Sequence, residues 1–195
     1  MFDSPVTQRF HDALSYASVM HSAQERKGTQ IPYIAHLLAV SSIVLEAGGT
    51  EDEAIAALLH DGPEDQGGLE RLEDIRLRFG DCVSQIVEHC SDTFETPKPC
   101  WSKRKKAYVA RLALADASTM LVSVADKLHN ARATLRDLSN AADPLTVWNR
   151  FSATREQTIE NYRALVGAYE RGISDQRRDS LVAELRHVVE DLATR

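Results

Sequence analysis

Apolar residues along this chain recur at intervals of three and four. Phe10, Leu14, Ala17 and Met20 share one stripe, Val109, Leu112 and Leu114 a second, and Leu181, Leu185, Val188, Val189 and Leu192 a third. That is the period of a helix with one face on a core, whereas a half-buried strand alternates every second residue. Alternating runs of β-branched residues are scarce. Proline, glycine and short polar residues interrupt the pattern at 27–32, 48–51, 62–68, 96–99, 140–144 and 171–175, as turn formers do. Thr50 ahead of Glu51-Asp52-Glu53 reads as an N-cap followed by acids at the positive end of a helix dipole. Asp143-Pro144 marks another start, Gly80 closes a helix over 69–79, and long helices are expected over 145–172 and 175–194. The expectation is an all-α fold of about eight or nine helices, far above ordinary helix content.

Composition narrows the class. A chain of 195 residues with 43% hydrophobic residues can bury a full core without a metal or disulfide staple. No linker separates two parts, so one domain over 1–195 is expected, with the last helix pair over 145–172 and 175–194 the candidate for a C-terminal addition. Apolar runs such as 54–59 are far shorter than the roughly 20 residues of a membrane span. Residues 1–5 lack the basic and apolar regions of a secretory signal, and Cys82, Cys90 and Cys100 form no C-x-x-C pair. These features point to a cytoplasmic protein with reduced thiols, away from membranes. A balance of 23 basic against 29 acidic residues, net −6, argues against coating a nucleic-acid backbone. It leaves open a small phosphorylated partner held by a local basic pocket. Oligomeric state follows from none of these patterns.

Chemistry concentrates in three apolar segments. His36 follows Tyr33-Ile34-Ala35, His60-Asp61 ends the apolar run 54–59, and Asp126 lies between Val124-Ala125 and Leu128. A charge so close to a core is costly unless it is paired or bound to a metal. Two imidazoles and two carboxylates without a thiolate suit a divalent Mn, Fe or Zn ion. Glu64 and Asp65 follow His60 and Asp61 by four residues, the spacing that stacks side chains on one helix face. There they could orient a water or protonate a leaving oxygen. Pro63 after Gly62 should kink or stop the helix near Asp61 and leave both acids on a turn. The ordinary alternatives are a core histidine for His36, a surface pair with Arg132 or a lysine for Asp126, and solvated acids for Glu64 and Asp65. The basic run 103–106 between Trp101 and Tyr108 is either a solvated face or a source of phosphate contacts, with Arg104 the candidate. His11, His21, His89, His129 and His187 are read as structural.

Taken together, Gln24-Glu25-Arg26-Lys27 through Pro32-Tyr33-Ile34-Ala35-His36, Ala57-Leu58-Leu59-His60-Asp61-Gly62-Pro63-Glu64-Asp65, and Val124-Ala125-Asp126-Lys127-Leu128-His129-Asn130-Ala131-Arg132 resemble the hydrolase domain of RelA/SpoT-type alarmone enzymes. That domain is a branch of the HD-domain metal-dependent phosphohydrolases, and the resemblance covers roughly residues 8–170. It implies an all-helical domain with one Mn²⁺ that removes the 3′-pyrophosphate of guanosine alarmones such as ppGpp, yielding GDP or GTP and pyrophosphate and lowering alarmone levels in the stringent response. Carried over by motif, the metal ligands are His36, His60, Asp61 and Asp126, and the acids that handle water are Glu64 and Asp65. Arg26, Lys27 and Asn130 match residues beside the nucleoside. Thr158-Ile159-Glu160-Asn161-Tyr162 resembles the family's Thr-Leu-Glu-Ile-Tyr and nominates Tyr162 for the pocket wall. With no space for a synthetase half, the chain is similar to the stand-alone small alarmone hydrolases, including the metazoan type. It departs from the family at Leu37, at Gly62-Pro63 and at Gln66-Gly67-Gly68. A phosphatase for adenosine 3′-pyrophosphates or the NADPH 2′-phosphate is the alternative chemistry on the same site. A non-catalytic nucleotide-binding module is the other rival.

Overall fold

The structure of the chain is a computed structural model in which residues 6–95 and 97–195 are described. Both the 1–5 leader reading and Thr96 of the turn at 96–99 lie outside these residues. The helices are α1 (Gln8–Met20), α2 (Ile34–Glu46), α3 (Glu51–Leu59), α4 (Gly62–Asp65), α5 (Gly68–Phe79), α6 (Asp81–Cys90), α7 (Trp101–Leu112), α8 (Ala117–Asn140), α9 (Leu145–Trp148), α10 (Arg155–Arg171) and α11 (Gln176–Ala193). Two of these, α4 and α9, are single turns of 4 residues. Among the described residues the only β pairing is an isolated bridge between Glu25 and Pro32. The fold is all-α, and no described helix is long and apolar enough to cross a membrane. Cys82, Cys90 and Cys100 are free.

Local signals set the helix ends. Thr50 and Glu53 form a reciprocal capping box at the start of α3, which satisfies two backbone donors that a helix start leaves free. Gly80, at φ +93°, adopts the conformation that lets α5 stop and α6 begin at once. The expected helix over 145–172 is two elements. Thr154 caps α10 through a second capping box with Gln157, so the chain restarts there after α9. Leu114 lies beyond the end of α7 and is 90% exposed, so it has left the apolar stripe of Val109 and Leu112.

Helix α8 is the axis of the fold. Leu121, Val122 and Ala125 enter a core shared with α1, α2, α3, α5 and α6, whereas Val124, Leu128, Ala131 and Leu138 enter a second core with α7, α9, α10 and α11. Val182, Leu185, Val189 and Leu192 of α11 belong to that second core, which makes the last helix integral to it. Between the two apolar faces, α8 presents Asp126, His129 and Asn130.

Candidate active site

The four expected ligands arrive from three helices. His36 is in the first turn of α2, His60 and Asp61 follow α3 directly, and Asp126 is in the body of α8. Apolar neighbours bury each backbone, which limits how far these side chains can move. Ligand atoms of His36, His60 and Asp126 lie within 4.8 Å of one another. His36 Nε2 is 3.3 Å from Asp126 Oδ1 and 3.5 Å from Asp61 Oδ2, and His60 Nε2 is 3.0 Å from Asp61 Oδ2.

Whether these groups fit a metal can be decided from their unused atoms. His36 and His60 are 1% and 2% exposed, and the Nε2 atom of each is buried without a hydrogen-bond partner. A buried polar atom left unpaired costs about 1–3 kcal/mol. His60 Nδ1 lies 2.9 Å from the carbonyl of Ala57, which only accepts, so Nδ1 carries the hydrogen and Nε2 the lone pair. Two such nitrogens facing two carboxylates, with no thiolate, form a donor set that fits a divalent cation.

The electrostatics agree. Burial pushes the Asp61 carboxyl up, but the adjacent His60 and His36 imidazoles outweigh it and hold the group well below the carboxylate range. Lys127 does the same for Asp126. Burial disfavours charge on His60, yet Asp61 and Asp126 raise its proton affinity well above that of an ordinary histidine. A field that draws a proton to Nε2 also draws a metal ion.

Local and long-range hydrogen bonds together hold this cluster. The Tyr33 hydroxyl donates to Asp61 Oδ2 at 2.6 Å, and Lys127 Nζ donates to Asp126 Oδ2 at 2.6 Å. Asn130 donates to Asp126 Oδ1 and accepts from Arg26 Nη2 at 2.7 Å, while the Arg26 guanidinium sits 5.8 Å from the centre of the Tyr33 ring. The turn over 24–33 sets this up through the Arg26 N–H on Ile31 O at 2.8 Å and the Tyr33 N–H on Gln24 O at 2.9 Å.

Glu64 and Asp65 lie on α4, where the sequence suggests an open turn. His60 and Asp61 keep right-handed helical dihedrals and the Asp65 N–H returns to Asp61 O at 3.0 Å, so the helix resumes after a short break. Pro63 is in the first turn, where a helix needs no N–H from it. Gly62 is buried beneath Met20, whose Cε lies 2.8 Å from where a Cβ would stand. Asp65 accepts from Gln24 Nε2 at 2.8 Å, and partial burial, then Asp61 and Glu64, raise its carboxyl above the usual range. Glu64 accepts from the Asp92 N–H at 3.1 Å and from Lys98 Nζ at 3.3 Å.

Beside the cluster opens a cleft of about 360 Å³. Arg26, Lys27, Lys105, Lys127, Arg136 and Arg150 line it against the one acid Asp137, and Tyr33, Trp101, Phe151 and Tyr162 supply aromatic wall. Burial pushes the Tyr162 hydroxyl up to about 12, so it stays a neutral donor. A chain of net charge −6 thus carries a strongly cationic cleft.

One expected contact moves. Arg104 is turned inward, its Nη1 on Asp92 and its Nε on Pro99 O at 3.0 Å, and it does not line the cleft. Its neighbour Lys105 does, because one step along α7 rotates a side chain onto a different face. His129 is more than structural padding, with its Nδ1 2.7 Å from His36 Nδ1. Burial and the nearby His36 lower its pKa to about 4. Sequence reasoning gave no role to Gln24, Tyr33 or Lys127, which only their place in the motifs marks, and within the run 103–106 it chose Arg104 over Lys105.

The HD domain family model matches residues 13–159. The chain belongs to the HD-domain family. It is 34% identical over 173 residues to the mouse guanosine-3′,5′-bis(diphosphate) 3′-pyrophosphohydrolase MESH1, covering 87% of this chain and 89% of that one. The Xenopus tropicalis MESH1 is 38% identical over 124 residues, 62% of this chain and 66% of its own length. Among solved structures, one described as a metazoan ortholog of SpoT that hydrolyzes ppGpp superposes with a TM-score of 0.70 at 28% identity, over 93% of this chain and 96% of that one. Within this HD-domain chain, His36, His60 and Asp126 are gathered in one cluster, and their neighbours Tyr33, Lys127 and Asn130 line the cationic cleft.

Proposed function

We propose that this chain is a metal-dependent 3′-pyrophosphohydrolase of guanosine 3′,5′-polyphosphates such as ppGpp, built as one HD-type domain with Mn²⁺ as its metal. One observation carries the reading: two buried histidine nitrogens without partners face two carboxylates, and Tyr33 and Lys127, which bond those carboxylates, also line a cleft with six cations and aromatic rings. A phosphate-rich nucleotide matches that cleft, and relatives carrying this activity in their names support the choice of substrate. His36, His60, Asp61 and Asp126 would hold the cation. When bound, the metal supplies Lewis-acid polarisation of a phosphoryl oxygen and acidifies water.

The remaining work falls to the chain itself. Water adds to the phosphorus attached to the 3′-oxygen, the bond from that phosphorus to the 3′-oxygen breaks, and pyrophosphate leaves GDP behind. Glu64 takes the proton from the attacking water. Asp65, whose raised pKa keeps its proton to higher pH, delivers one to the 3′-oxygen. Lys105 and Lys127 neutralise the pyrophosphate, and Arg26, Lys27, Asn130 and Tyr162 hold the nucleoside end. Purified protein with Mn²⁺ should release pyrophosphate and GDP from ppGpp. Background rates with ppGpp, alongside turnover of an adenosine 3′-pyrophosphate or NADPH, would overturn the substrate.

A further inference from the structure

We infer that His129 is a positioning residue for the metal, accepting a hydrogen from His36 Nδ1 and so turning the His36 Nε2 lone pair into the site. The inference rests on the metal reading and concerns a side chain outside the motif ligands. Its basis is geometric. His36 has two ring nitrogens: Nε2 is buried, unpartnered and 3.3 Å from Asp126 Oδ1, and Nδ1 is 2.7 Å from His129 Nδ1. A neutral imidazole carries a single hydrogen. For Nε2 to donate its lone pair to a cation, that hydrogen must sit on Nδ1, and the group facing it must accept. His129 meets this requirement in the tautomer that carries its own hydrogen on Nε2, and that nitrogen is not a buried unpartnered atom.

The rings stand 4.9 Å apart at 39°, so the contact also limits rotation of the His36 ring. His60 reaches the same end differently, with the Ala57 carbonyl as its acceptor. A backbone carbonyl stands behind His60 and a side chain of α8 behind His36. His129 lies three residues after Asp126, so one helix face carries a ligand and the acceptor for a second ligand. Acceptors of this kind behind a ligating histidine hold the ring and increase its basicity, and their loss typically weakens metal binding about 10- to 100-fold.

Two measurements test this. In ¹⁵N-histidine-labelled metal-free protein, long-range nitrogen correlations should show His36 with its hydrogen on Nδ1. Mn²⁺ binding followed by equilibrium dialysis should weaken about 10- to 100-fold in His129→Phe and stay within a few-fold of wild type in His129→Gln, whose amide oxygen accepts. Far-UV circular dichroism checks that the variants are folded. His36 bearing its hydrogen on Nε2 in the wild-type protein overturns the inference even if His129→Phe does not fold. So does wild-type Mn²⁺ affinity in a folded His129→Phe. Failure of the wild-type protein to take up Mn²⁺ overturns the metal reading, and this inference with it.

Discussion

The Tyr33 hydroxyl donates to Asp61 Oδ2 at 2.6 Å, joining the residue just before α2 to the carboxylate just after α3. His21 stacks on one side of the same ring, with centroids 5.2 Å apart, and the ring lines the cleft. Tyr33 therefore holds the Asp61 carboxylate from the cleft side. Tyr33→Phe keeps the ring and removes the donor, so Asp61 gains rotational freedom. Mn²⁺ affinity should fall about 10- to 100-fold while the thermal midpoint changes little, as calorimetric titration and a melting curve would show.

Removing a ligand should act more severely. His60→Ala and Asp61→Ala are expected to abolish stoichiometric Mn²⁺ uptake and lower ppGpp turnover by roughly 10³-fold or more, the scale of several kcal/mol of lost charge stabilisation. Both positions follow α3 rather than sit within its core face, so circular dichroism should stay helical. Turnover near wild type in either variant would remove these residues from the metal site.

Glu64→Gln separates ligand from base. The amide preserves an acceptor for the Asp92 N–H but cannot take a proton. Metal should remain bound while kcat drops by about 10²–10⁴-fold. Loss of metal in this variant would make Glu64 a ligand instead.

Asp65 carries a cost to stability. Its folded-state carboxyl holds a proton to higher pH than the unfolded chain does, so protonation favours the folded form. That contribution is present below the ordinary aspartate pKa of about 3.9 and is lost as pH rises through the raised value. At neutral pH the ionised group works against folding, and because the side chain keeps access to solvent on one side, screening keeps the effect small. Asp65→Asn should flatten the fall in melting temperature with rising pH and slightly raise stability at pH 7. Turnover should drop along with the high-pH limb of its profile.

Arg104 and Lys105 should part company. Lys105→Ala removes a cation from the cleft and is expected to reduce kcat/KM by roughly 10- to 100-fold, the scale of a charge-assisted contact, with a smaller loss of stability than Arg104→Ala because Arg104 stays on Asp92. Arg104→Ala strips a partner from the buried Asp92 and should cost roughly 3 kcal/mol of unfolding free energy. Chemical denaturation and steady-state kinetics on the two variants give opposite patterns if the α7 geometry is right.

How much of this was legible in sequence differs by range. Helix period, the Thr50 cap and the Gly80 stop act within a few residues, so the chain itself encodes them, and the same holds for the apolar settings that marked His36, His60, Asp61 and Asp126. The split of 145–172 was equally local, written in Thr154 and Gln157 and in the polar stretch 154–158. Other features needed the fold. Arg26 meets Asn130 across 104 positions and His36 meets His129 across 93. No spacing rule reaches that far. Those pairs exist because α8 runs between two cores and presents its intervening face to α2 and the turn before it. By itself the sequence determined an all-α chain with two histidines and two aspartates set in apolar segments. Only tertiary packing decided which nitrogens were left unpaired, which cations faced the cleft, and which neighbours held the ligands in place, because each depends on contacts that form only when distant helices are packed together.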